Sequence, residues 1–475
     1  MRSRRREVNL ERIIVKGTKF VTESGREVLL QGINFVCKEK EMGYLWPEHD
    51  KLFAWFAECG FNLIRLGIFW DAVEPQPGKY DDAYLEKIRK VILEAEKNRL
   101  YVLVDMHQDL WSVLYGDGAP EWATITDGAA HPSDCAMWFD AYLRSDAIIN
   151  AAEHFWNNDK AEDGIGLIDH YADMWGYIAE KLAGCENIIG YEPMNEPFMG
   201  SLARNTFGMA AAKTREKYPE FDFTTMQGVT PESQAYMSRI VGDAFVEFDK
   251  NTLMPFYQRM YDVLRTRTTA ALATGGNIYC SANFPSGIGR VSGADGEESR
   301  QIYAPHGYDS VVDSDRYENF SRENVENLFA MKREEQERLG LPVIVGEWGA
   351  FPSKDFTDKL IDHMNGILEK YLWSSAYWQY LPGMEKDSNY DALKRAYPAR
   401  IDGELRSYHY DRSKQEFSVT WKGKELLCYV PFTEFTVSER RGIHFRVIQK
   451  MKTGSWLVMA MDGAEEETVI VKAQH

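Results

Sequence analysis

Apolar and polar residues alternate along most of the chain in a pattern typical of repeated strand–helix units. Apolar runs at residues 32–36, 61–68 and 100–104 predict buried strands, because a strand covered on both faces is apolar throughout. Residues 50–59 and 81–98 lie between these runs and predict helices, with apolar side chains recurring at helical spacing in the second. The start of the chain therefore follows the element order of an α/β protein.

The alternation continues to about residue 400. Further strands are predicted at 188–196, 277–280, 301–306, 341–349 and 375–380, and further helices at 166–183, 232–248 and 253–266. Long excursions at 108–165 and 198–230 interrupt the pattern. Strands in this number, with helices between most of them, predict a (β/α)8 barrel. A doubly wound open sheet is the alternative, but no glycine-rich fingerprint follows the first strand.

The two ends of the chain carry a different pattern. Residues 13–30 predict a β-hairpin of the kind that packs on the floor of a barrel. From about residue 400, short strands at hairpin distances predict a small antiparallel β-sandwich. They are expected at 417–421, 426–430, 444–448, 456–460 and 468–471. We therefore divide the chain into a barrel domain, residues 1–399, and a C-terminal β-sandwich, residues 400–475.

Two of the predicted strands end in a glutamate. Glu196 follows an apolar run and precedes Pro197, which cannot extend a strand, and Glu347 ends the run that begins at residue 341. Barrel enzymes keep their chemistry at the carboxyl ends of the strands, where the strand ends converge. Glycoside cleavage through a covalent intermediate requires two carboxyl groups about 5 Å apart. We therefore expect Glu196 to be the acid/base and Glu347 the nucleophile of a catalytic barrel.

Other polar and aromatic residues are expected at the same edge of the barrel. Asn195 can hold a sugar hydroxyl beside the acid. Arg65, His306 and Tyr308 are candidates to hydrogen-bond the nucleophile and keep it ionised. Trp378 offers a flat face to a pyranose ring. Taken singly, each has a structural explanation, such as an ion pair within the barrel for Arg65; only their joint placement at strand ends supports a site.

Composition narrows the range of partners. The net charge of −18 argues against nucleic acid and against anionic membrane surfaces, because both would repel the protein. The sequence contains no apolar run of 18 residues, so no stable membrane insertion is expected. Aromatic residues make up 13% of the chain, which suits a sugar-handling cleft and also suits a large core.

The N-terminus and the cysteines bear on localisation. Residues 1–7 are basic, but no apolar segment follows them, so they do not form a secretory signal. The six cysteines lack paired short spacings and do not predict a disulfide framework. Four of them, Cys37, Cys59, Cys185 and Cys280, lie in or beside apolar segments and are expected to be buried thiols. A cytoplasmic location follows, unless a leader was removed.

A metal hydrolase and a non-catalytic sugar-binding barrel are alternatives. Asp105, His107 and Asp109 follow one strand, but His-x-Asp is a thin basis for a zinc site, which usually needs three protein ligands. We therefore expect neither a metal nor another cofactor. A carbohydrate-binding barrel without activity would not need both strand-end glutamates.

The motifs together resemble glycoside hydrolase family 5, a retaining clan of (β/α)8 barrels, and within it the endoglycoceramidase-like members. The acid/base motif of the family matches residues 195–197, and its nucleophile strand matches residues 346–348. The recurring Arg, His, His-x-Tyr and Trp of the family fall on Arg65, His107, His306 with Tyr308, and Trp378. Narrower features at residues 34–38, 65–75, 107–109 and 118–122 are similar to the endoglycoceramidase branch.

The resemblance implies a retaining β-glycoside hydrolase that cleaves a sugar or glycan from a hydrophobic aglycone, with a glycolipid as the first candidate. Lys38, His107, Asp109 and Asn195 would then hold the sugar before the scissile bond, and the two long excursions would contact the aglycone. An exo-acting β-glucosidase or an endo-β-glucanase remains an alternative. The excursions are rich in large apolar residues, which either pack on each other or line a groove. These are Leu110, Trp111, Leu114, Trp122, Trp138, Phe139, Phe155, Trp156, Phe198, Met199, Leu202 and Phe207.

Overall fold

The computed structural model of the protein describes residues 10–135, 137–221, 230–438, 442–463 and 465–474. The basic segment at 1–7 and residues 222–229 of the second excursion lie outside the described residues. Among the described helices, none is both long and apolar enough to cross a bilayer.

Strands and helices alternate through the first two thirds of the chain. The strands are β1 (Ile13–Lys16), β2 (Lys19–Thr22), β3 (Glu27–Val28), β4 (Gln31–Phe35), β5 (Leu63–Ile68), β6 (Tyr101–Met106), β7 (Ile188–Glu192), β8 (Ala271–Thr274), β9 (Ser292–Gly293), β10 (Gly296–Glu297), β11 (Gln301–Tyr303), β12 (His306–Gly307), β13 (Ile344–Gly349), β14 (Ser374–Trp378), β15 (Tyr397–Asp411), β16 (Glu416–Val430), β17 (Phe435–Val437), β18 (Ile443–Lys450), β19 (Ser455–Met461) and β20 (Glu466–Ala473). The α-helices are α1 (His49–Glu58), α2 (Trp70–Val73), α3 (Asp82–Lys97), α4 (Ala141–Arg144), α5 (Asp146–Trp156), α6 (Leu167–Lys181), α7 (Ser201–Lys217), α8 (Pro231–Phe248), α9 (Met254–Arg265), α10 (Arg322–Leu339) and α11 (Thr357–Tyr371).

Nine of these strands form a curled parallel sheet in the order β11-β8-β7-β6-β5-β4-β14-β13-β12. The short strands β11 and β12 together occupy the place of one barrel strand, since β11 pairs with β8 and β12 pairs with β13. A parallel bridge between Tyr303 and Val343 joins the two edges, and Tyr303 N donates to Pro342 O at 3.0 Å. The sheet therefore closes into a barrel, which confirms the predicted (β/α)8 fold with an antiparallel sheet at the C-terminus.

The barrel interior is apolar at the bottom and polar at the top. Ile13, Phe20 and Val28 of the N-terminal hairpin pack against inward side chains of the barrel such as Leu63 and Leu103. Strand residues two apart face the same side, so Arg65 lies above Leu63 and Asp105 above Leu103. The hairpin thus closes the floor, and the charged layer lies at the carboxyl ends of the strands.

A second, antiparallel sheet joins the two ends of the chain. Its order is β1-β2-β3-β15-β16-β19-β18, and β20 pairs with both β16 and β17. The N-terminal strands therefore belong to the same sheet as the C-terminal ones. The predicted boundary at residue 400 falls within β15 and remains a prediction.

The separate strands predicted at 417–421 and 426–430 form one continuous strand, β16. Its 15 residues pair along the whole of β15, with register shifts that include one between Asp402 and Gly403. Gly403 and Gly423 face each other there, and a Cβ atom on Gly423 would lie 2.1 Å from Asp402 O. The glycine therefore allows a bulge that bends the ladder, where the sequence had suggested a turn.

Two predicted elements of the barrel are also corrected. The run predicted as a strand at 277–280 lies in the 3-10 helix Ile278–Ser281 and its N-cap, and the fifth strand is β8, which precedes it. The second excursion contains the helix α7. In contrast, Cys37, Cys59, Cys185 and Cys280 are buried free thiols as expected.

The C-terminal sheet is attached to the barrel by buried tyrosines. The hydroxyl of Tyr429 donates to Glu58 O at 2.7 Å, and that of Tyr397 donates to Gly60 O at 2.7 Å. Gly60 has φ +87°, and a Cβ atom there would lie 2.4 Å from the ring of Tyr429. The end of α1 and the sheet are thus in direct contact, at the far end of the barrel from Glu196 and Glu347.

We predict that Tyr429→Ala lowers the free energy of unfolding by about 3–5 kcal/mol, because it leaves a cavity between the sheet and the barrel. Tyr429→Phe removes only the hydroxyl and is expected to lose about 1 kcal/mol. Denaturant unfolding measures both changes. Equal stability of the two variants would contradict this account of the contact.

Candidate active site

A cavity of about 920 Å3 opens at the carboxyl ends of the barrel strands. Eight of the ten residues predicted for the site line it: Lys38, His107, Asp109, Asn195, Glu196, Tyr308, Glu347 and Trp378. The other two, Arg65 and His306, are buried and contact the two glutamates from below. The structure thus brings all ten predicted residues together.

Glu196 lies just beyond β7, in a backbone conformation that glycine usually adopts. Its φ is +40°, which costs a non-glycine residue about 1–3 kcal/mol. Gln108 holds this turn, since its Nε2 donates to Asn195 O at 2.9 Å and to Glu196 O at 3.0 Å. A conformation secured in this way fixes the direction of the Glu196 carboxyl group.

Glu347 lies within β13 and accepts two hydrogen bonds. Arg65 Nη1 donates to its Oε1 at 2.7 Å, and the hydroxyl of Tyr308 donates to its Oε2 at 2.8 Å. A cation and a hydroxyl group thus donate to its two oxygens, one to each. They also hold the side chain in one orientation towards the cavity.

Arg65 is wholly buried and links four strands. Its Nε donates to Glu192 Oε2 at 2.7 Å, its Nη2 donates to Asn195 Oδ1 at 2.8 Å, and Nη2 lies 3.0 Å from Asp105 Oδ1. Burial has the largest single effect on the pKa of Arg65 and lowers it. The charges of Asp105, Glu192 and Glu347 together outweigh burial and raise the pKa above its usual value. The guanidinium group therefore remains charged and serves as the common partner of the carboxylates around it.

Glu196 and Glu347 lie at the separation expected of a retaining glycosidase. Oxygens of the two carboxyl groups and a ring nitrogen of His306 all lie within 4.8 Å of one another. His306 Nδ1 is 3.0 Å from Glu196 Oε1 and 3.5 Å from Glu347 Oε2. Retaining enzymes place the two groups about 5–5.5 Å apart, whereas inverting enzymes leave room for a water between them.

The electrostatics of the pair favour a protonated Glu196. Burial raises the pKa of Glu196, the charge of Glu347 raises it further, and the contact with His306 opposes both effects. Burial by itself lowers the pKa of His306, but Glu347 and the hydrogen bond with Glu196 outweigh it, so that the net change is upward. Glu196 is thus placed to donate a proton, beside an imidazole that can hold a positive charge.

A second charged group lies on one side of the cavity. Lys38 forms an ion pair with Asp109, and its Nζ lies 3.8 Å from Asp117 and 5.0 Å from the centre of the Trp378 ring. The rings of Trp378 and His107 stack at 5.1 Å. Together they form a polar wall with one aromatic face.

His107 is held through Asp105. Its Nδ1 lies 2.8 Å from Asp105 Oδ2. Burial by itself lowers the pKa of His107, but the charge and the hydrogen bond of Asp105 raise it to about 10. The raised pKa favours the imidazolium form, and the buried Nε2 lies 3.7 Å from Asp109.

The arrangement gives little support to the metal-site alternative. His107, Asp109 and Asp117 offer ligand atoms within 4.8 Å of one another, but the ammonium group of Lys38 already lies against both aspartates. Asp105, one of the suggested ligands, is engaged with Arg65 and His107. A metal ion there would be repelled by Lys38 and by the charged His107.

The apolar residues of the excursions divide between the two roles expected from the sequence: some line the cavity and others pack within the protein. Four of them line the cavity: Leu110, Trp138, Phe139 and Phe207. Six pack within the protein: Trp111, Trp122, Phe155, Trp156, Phe198 and Met199. Leu114 and Leu202 are exposed. Together with Leu143, Ile278, Tyr279 and Val312, which also line the cavity, the four lining residues form what we call the apolar wall.

Several residues of the site were not singled out from the sequence. Glu192 is the last residue of β7, four residues before Glu196, and the period of two along the strand indicates an inward side chain. Asp117 and Asp313 lie in loops without such a periodicity. Asp313 lines the cavity and accepts a hydrogen bond from Trp138 Nε1 at 3.0 Å, which links two loops across the mouth.

Comparisons with known proteins give a family match and several relatives. The family model described as Cellulase (glycosyl hydrolase family 5) matches residues 21–383. The chain is similar to an endoglycoceramidase of Cyanea nozakii, with 24% identity over 85% of this chain and 79% of that protein. It is also similar to endoglycoceramidase I of Rhodococcus hoagii, with 26% identity over 85% of this chain and 75% of that protein.

Solved structures of the same fold cover almost the whole chain. Endo-glycoceramidase II from Rhodococcus sp. superposes with a TM-score of 0.76 at 22% identity, over 97% of this chain and 100% of that one. An endogalactoceramidase superposes with a TM-score of 0.69 at 20% identity, over 98% of this chain and 100% of that one. At these identities the likeness establishes the fold, including the antiparallel sheet that follows the barrel.

We predict that Arg65→Met lowers the free energy of unfolding by about 3–5 kcal/mol, because buried carboxylates lose their cation. It should also lower kcat/KM by on the order of 100-fold or more, since Glu347 loses a charged donor. Arg395→Met is the matched control, because Arg395 is equally buried but pairs with Glu369 away from the cavity. It should lose stability and keep kcat/KM. Full activity of the Arg65 variant would refute the role of this residue.

Proposed function

The chain belongs to glycosyl hydrolase family 5, and on this premise we propose that it is a retaining β-glycosidase that cleaves a glycan from a lipid aglycone. Membership of the family makes the protein a glycosidase. The nature of the aglycone and the roles of individual residues are the parts that we propose.

The mixed lining of the cavity is the observation that carries the proposal. Charged groups and an aromatic face line part of it, namely Lys38, His107, Asp109 and Trp378. The residues of the apolar wall line another part, and Glu196 and Glu347 line the same cavity. A cellulose chain would present sugar hydroxyls throughout, so the apolar wall favours a hydrophobic aglycone.

The names of the relatives support the same substrate class. Besides the endoglycoceramidases, a glucosylceramidase of Aspergillus fumigatus is 28% identical over 40% of this chain. Each of these names describes a bond between a sugar and ceramide in that protein. We therefore propose a glycolipid as the substrate of this chain, ahead of a β-glucoside or glucan without a lipid.

In the proposed reaction, Glu347 attacks the anomeric carbon while Glu196 protonates the glycosidic oxygen. The aglycone leaves as its alcohol, and the sugar forms an ester with Glu347. The ester carries no negative charge, so the repulsion that kept Glu196 protonated is removed. Glu196 then takes a proton from the water that attacks the anomeric carbon, and the bond between that carbon and the Glu347 oxygen breaks, which releases the Glu347 carboxylate. Two inversions at the same carbon give retention of configuration.

The polar part of the cavity is proposed to bind the sugar beside the scissile bond. The Asn195 amide accepts a bond from Arg65 and donates one to Gln108 O at 3.1 Å, which leaves one N–H for a sugar hydroxyl. The ammonium of Lys38 and the Asp109 carboxylate offer further donors and acceptors. Trp378 provides the face on which a pyranose ring can rest.

A screen of glycolipids and non-lipid glycosides by product mass tests the proposal. We expect an intact glycan and a free lipid from a glycolipid, at a kcat/KM higher than that of an aryl glycoside of the same sugar. Release of single sugars from the chain end would identify an exo-acting enzyme. Cleavage of glucans alone would rule out the lipid aglycone.

The roles of the two glutamates are tested by azide with an aryl β-glycoside. Glu347→Ala should lose several orders of magnitude in kcat, and azide should restore part of it and yield the α-glycosyl azide, because azide enters on the face that Glu347 occupied. Glu196→Ala should yield the β-glycosyl azide, because azide then attacks the glycosyl-enzyme. Mass spectrometry and NMR of the products distinguish the two anomers. If Glu347→Ala gave the β-azide and Glu196→Ala the α-azide, the roles assigned to the two glutamates would be reversed.

The apolar wall is tested by a series of alkyl β-glycosides with one sugar, kept below micelle formation. Burial of each methylene contributes about 0.8 kcal/mol, so kcat/KM should rise by about fourfold per methylene while the chain remains in the cavity. Leu143→Ala should reduce this slope, since Leu143 lines the wall. Leu114→Ala is the control, because Leu114 belongs to the same excursion but points to solvent. A flat series for the unmodified enzyme would mean that the wall does not bind the aglycone.

A further inference from the structure

Asp249 is a fully buried carboxylate that plays no part in the reaction described above. It begins the short π-helix Asp249–Leu253 between α8 and α9. Its Oδ1 accepts hydrogen bonds from Asn277 N at 3.2 Å and Asn277 Nδ2 at 2.9 Å. Its Oδ2 accepts from Ser286 Oγ and Gly287 N, both at 2.9 Å. The buried carboxyl group thus accepts hydrogen bonds from four uncharged N–H and O–H donors.

These donors lie at the two ends of a single loop, residues 277–287, which follows β8. Asp249 therefore closes the loop, as a bridge between its first and last residues. The far end is also pressed against α8, because a Cβ atom on Gly287 would lie 2.1 Å from Val246 O. The conformation of the loop depends on a group that lies outside it.

The part of the loop between these ends contributes to the apolar wall. Ile278, Tyr279 and Ala282 line the cavity. The ring of Tyr279 stacks on Phe245 at 4.9 Å and meets the edge of Phe207 at 5.5 Å. A shift of the loop would therefore move several apolar side chains at once.

The same loop is linked to both sides of the catalytic pair. Ile278 N donates to Pro197 O at 3.1 Å, directly after Glu196. Tyr308 N donates to Ser281 O at 3.0 Å, and the hydroxyl of Tyr308 donates to Glu347. The loop thus fixes the wall relative to the two glutamates.

We propose that Asp249 is a positioning residue that sets the selectivity for the aglycone, by holding residues 277–287 as a fixed wall against an unbranched hydrocarbon chain. The inference rests on the proposed function, because it assumes that the apolar wall binds the aglycone. It adds a residue that neither touches the substrate nor lines the cavity.

The test is the chain-length series of alkyl β-glycosides, from methyl to octyl, measured with Asp249→Asn. The amide retains the shape of the carboxylate but cannot accept bonds from all four donors. We expect kcat/KM of the octyl glycoside to fall far more than that of the methyl glycoside. The rise per methylene should drop from about fourfold to less than twofold. An effect on folding alone would lower kcat/KM for both substrates by the same factor.

Glu298→Gln is the matched control. Glu298 is also a buried carboxylate, and it accepts bonds from Tyr261 and Arg300 outside the cavity lining. Its substitution should leave the slope of the series unchanged. Ser286→Ala removes only one donor from Asp249 and provides a second measurement if Asp249→Asn does not fold; an intermediate slope is expected.

The experiment distinguishes a failure of the role of Asp249 from a failure of the proposed function. A wild-type slope in Asp249→Asn, or in Ser286→Ala when only that variant folds, overturns the role of Asp249 and leaves the proposed function intact. An equal loss for all chain lengths also overturns it. A flat series in the unmodified enzyme would contradict the proposal of a lipid aglycone, and the inference about Asp249 would fail with it.

Discussion

A buried guanidinium group among carboxylates is the interaction on which the site depends. Arg65 lies within reach of Asp105, Glu192 and Glu347 and has no exposed surface. Carboxylates this close would repel each other, and burial would protonate them, without a cation in the middle. Arg65 provides that cation on a strand of the barrel, so its position is as fixed as the sheet. The two glutamates proposed for catalysis then lie in different surroundings, since Arg65 donates to Glu347 while burial raises the pKa of Glu196.

The barrel and its loops divide the work of the site. Strand ends hold the charged groups, whose distances must be kept within tenths of an ångström. The excursions after β6 and β7, together with the loop after β8, hold most of the apolar wall, which needs only the right shape and hydrophobicity. Loops of this kind tolerate change, whereas the charged layer does not. Proteins with the same barrel can therefore differ widely in the group that they release from the sugar.

The sequence predicted the charged part of the site better than the apolar part. Glu196, Glu347 and Arg65 follow or belong to apolar strands, so their place at one edge of the barrel follows from the strand pattern alone. The strand at 271–274 was missed because it is short and contains alanines, while the stronger apolar run at 277–280 follows it. Leu110 and Trp111 show a further limit. Both have positive φ, yet the first lines the cavity and the second is buried beneath it, and only the path of the loop separates them.

The pairing of β3 with β15 has a consequence for synthesis of the chain on the ribosome. Val28 pairs with Arg400, so the hairpin that closes the floor of the barrel obtains its neighbour only after all the barrel strands between them have been made. Contacts between residues so distant in sequence form late, because a long loop must close first. Until then the nascent hairpin has an unpaired edge, and unpaired edges are where newly made chains associate wrongly. Residues that follow the whole barrel in the sequence therefore protect an edge that precedes it.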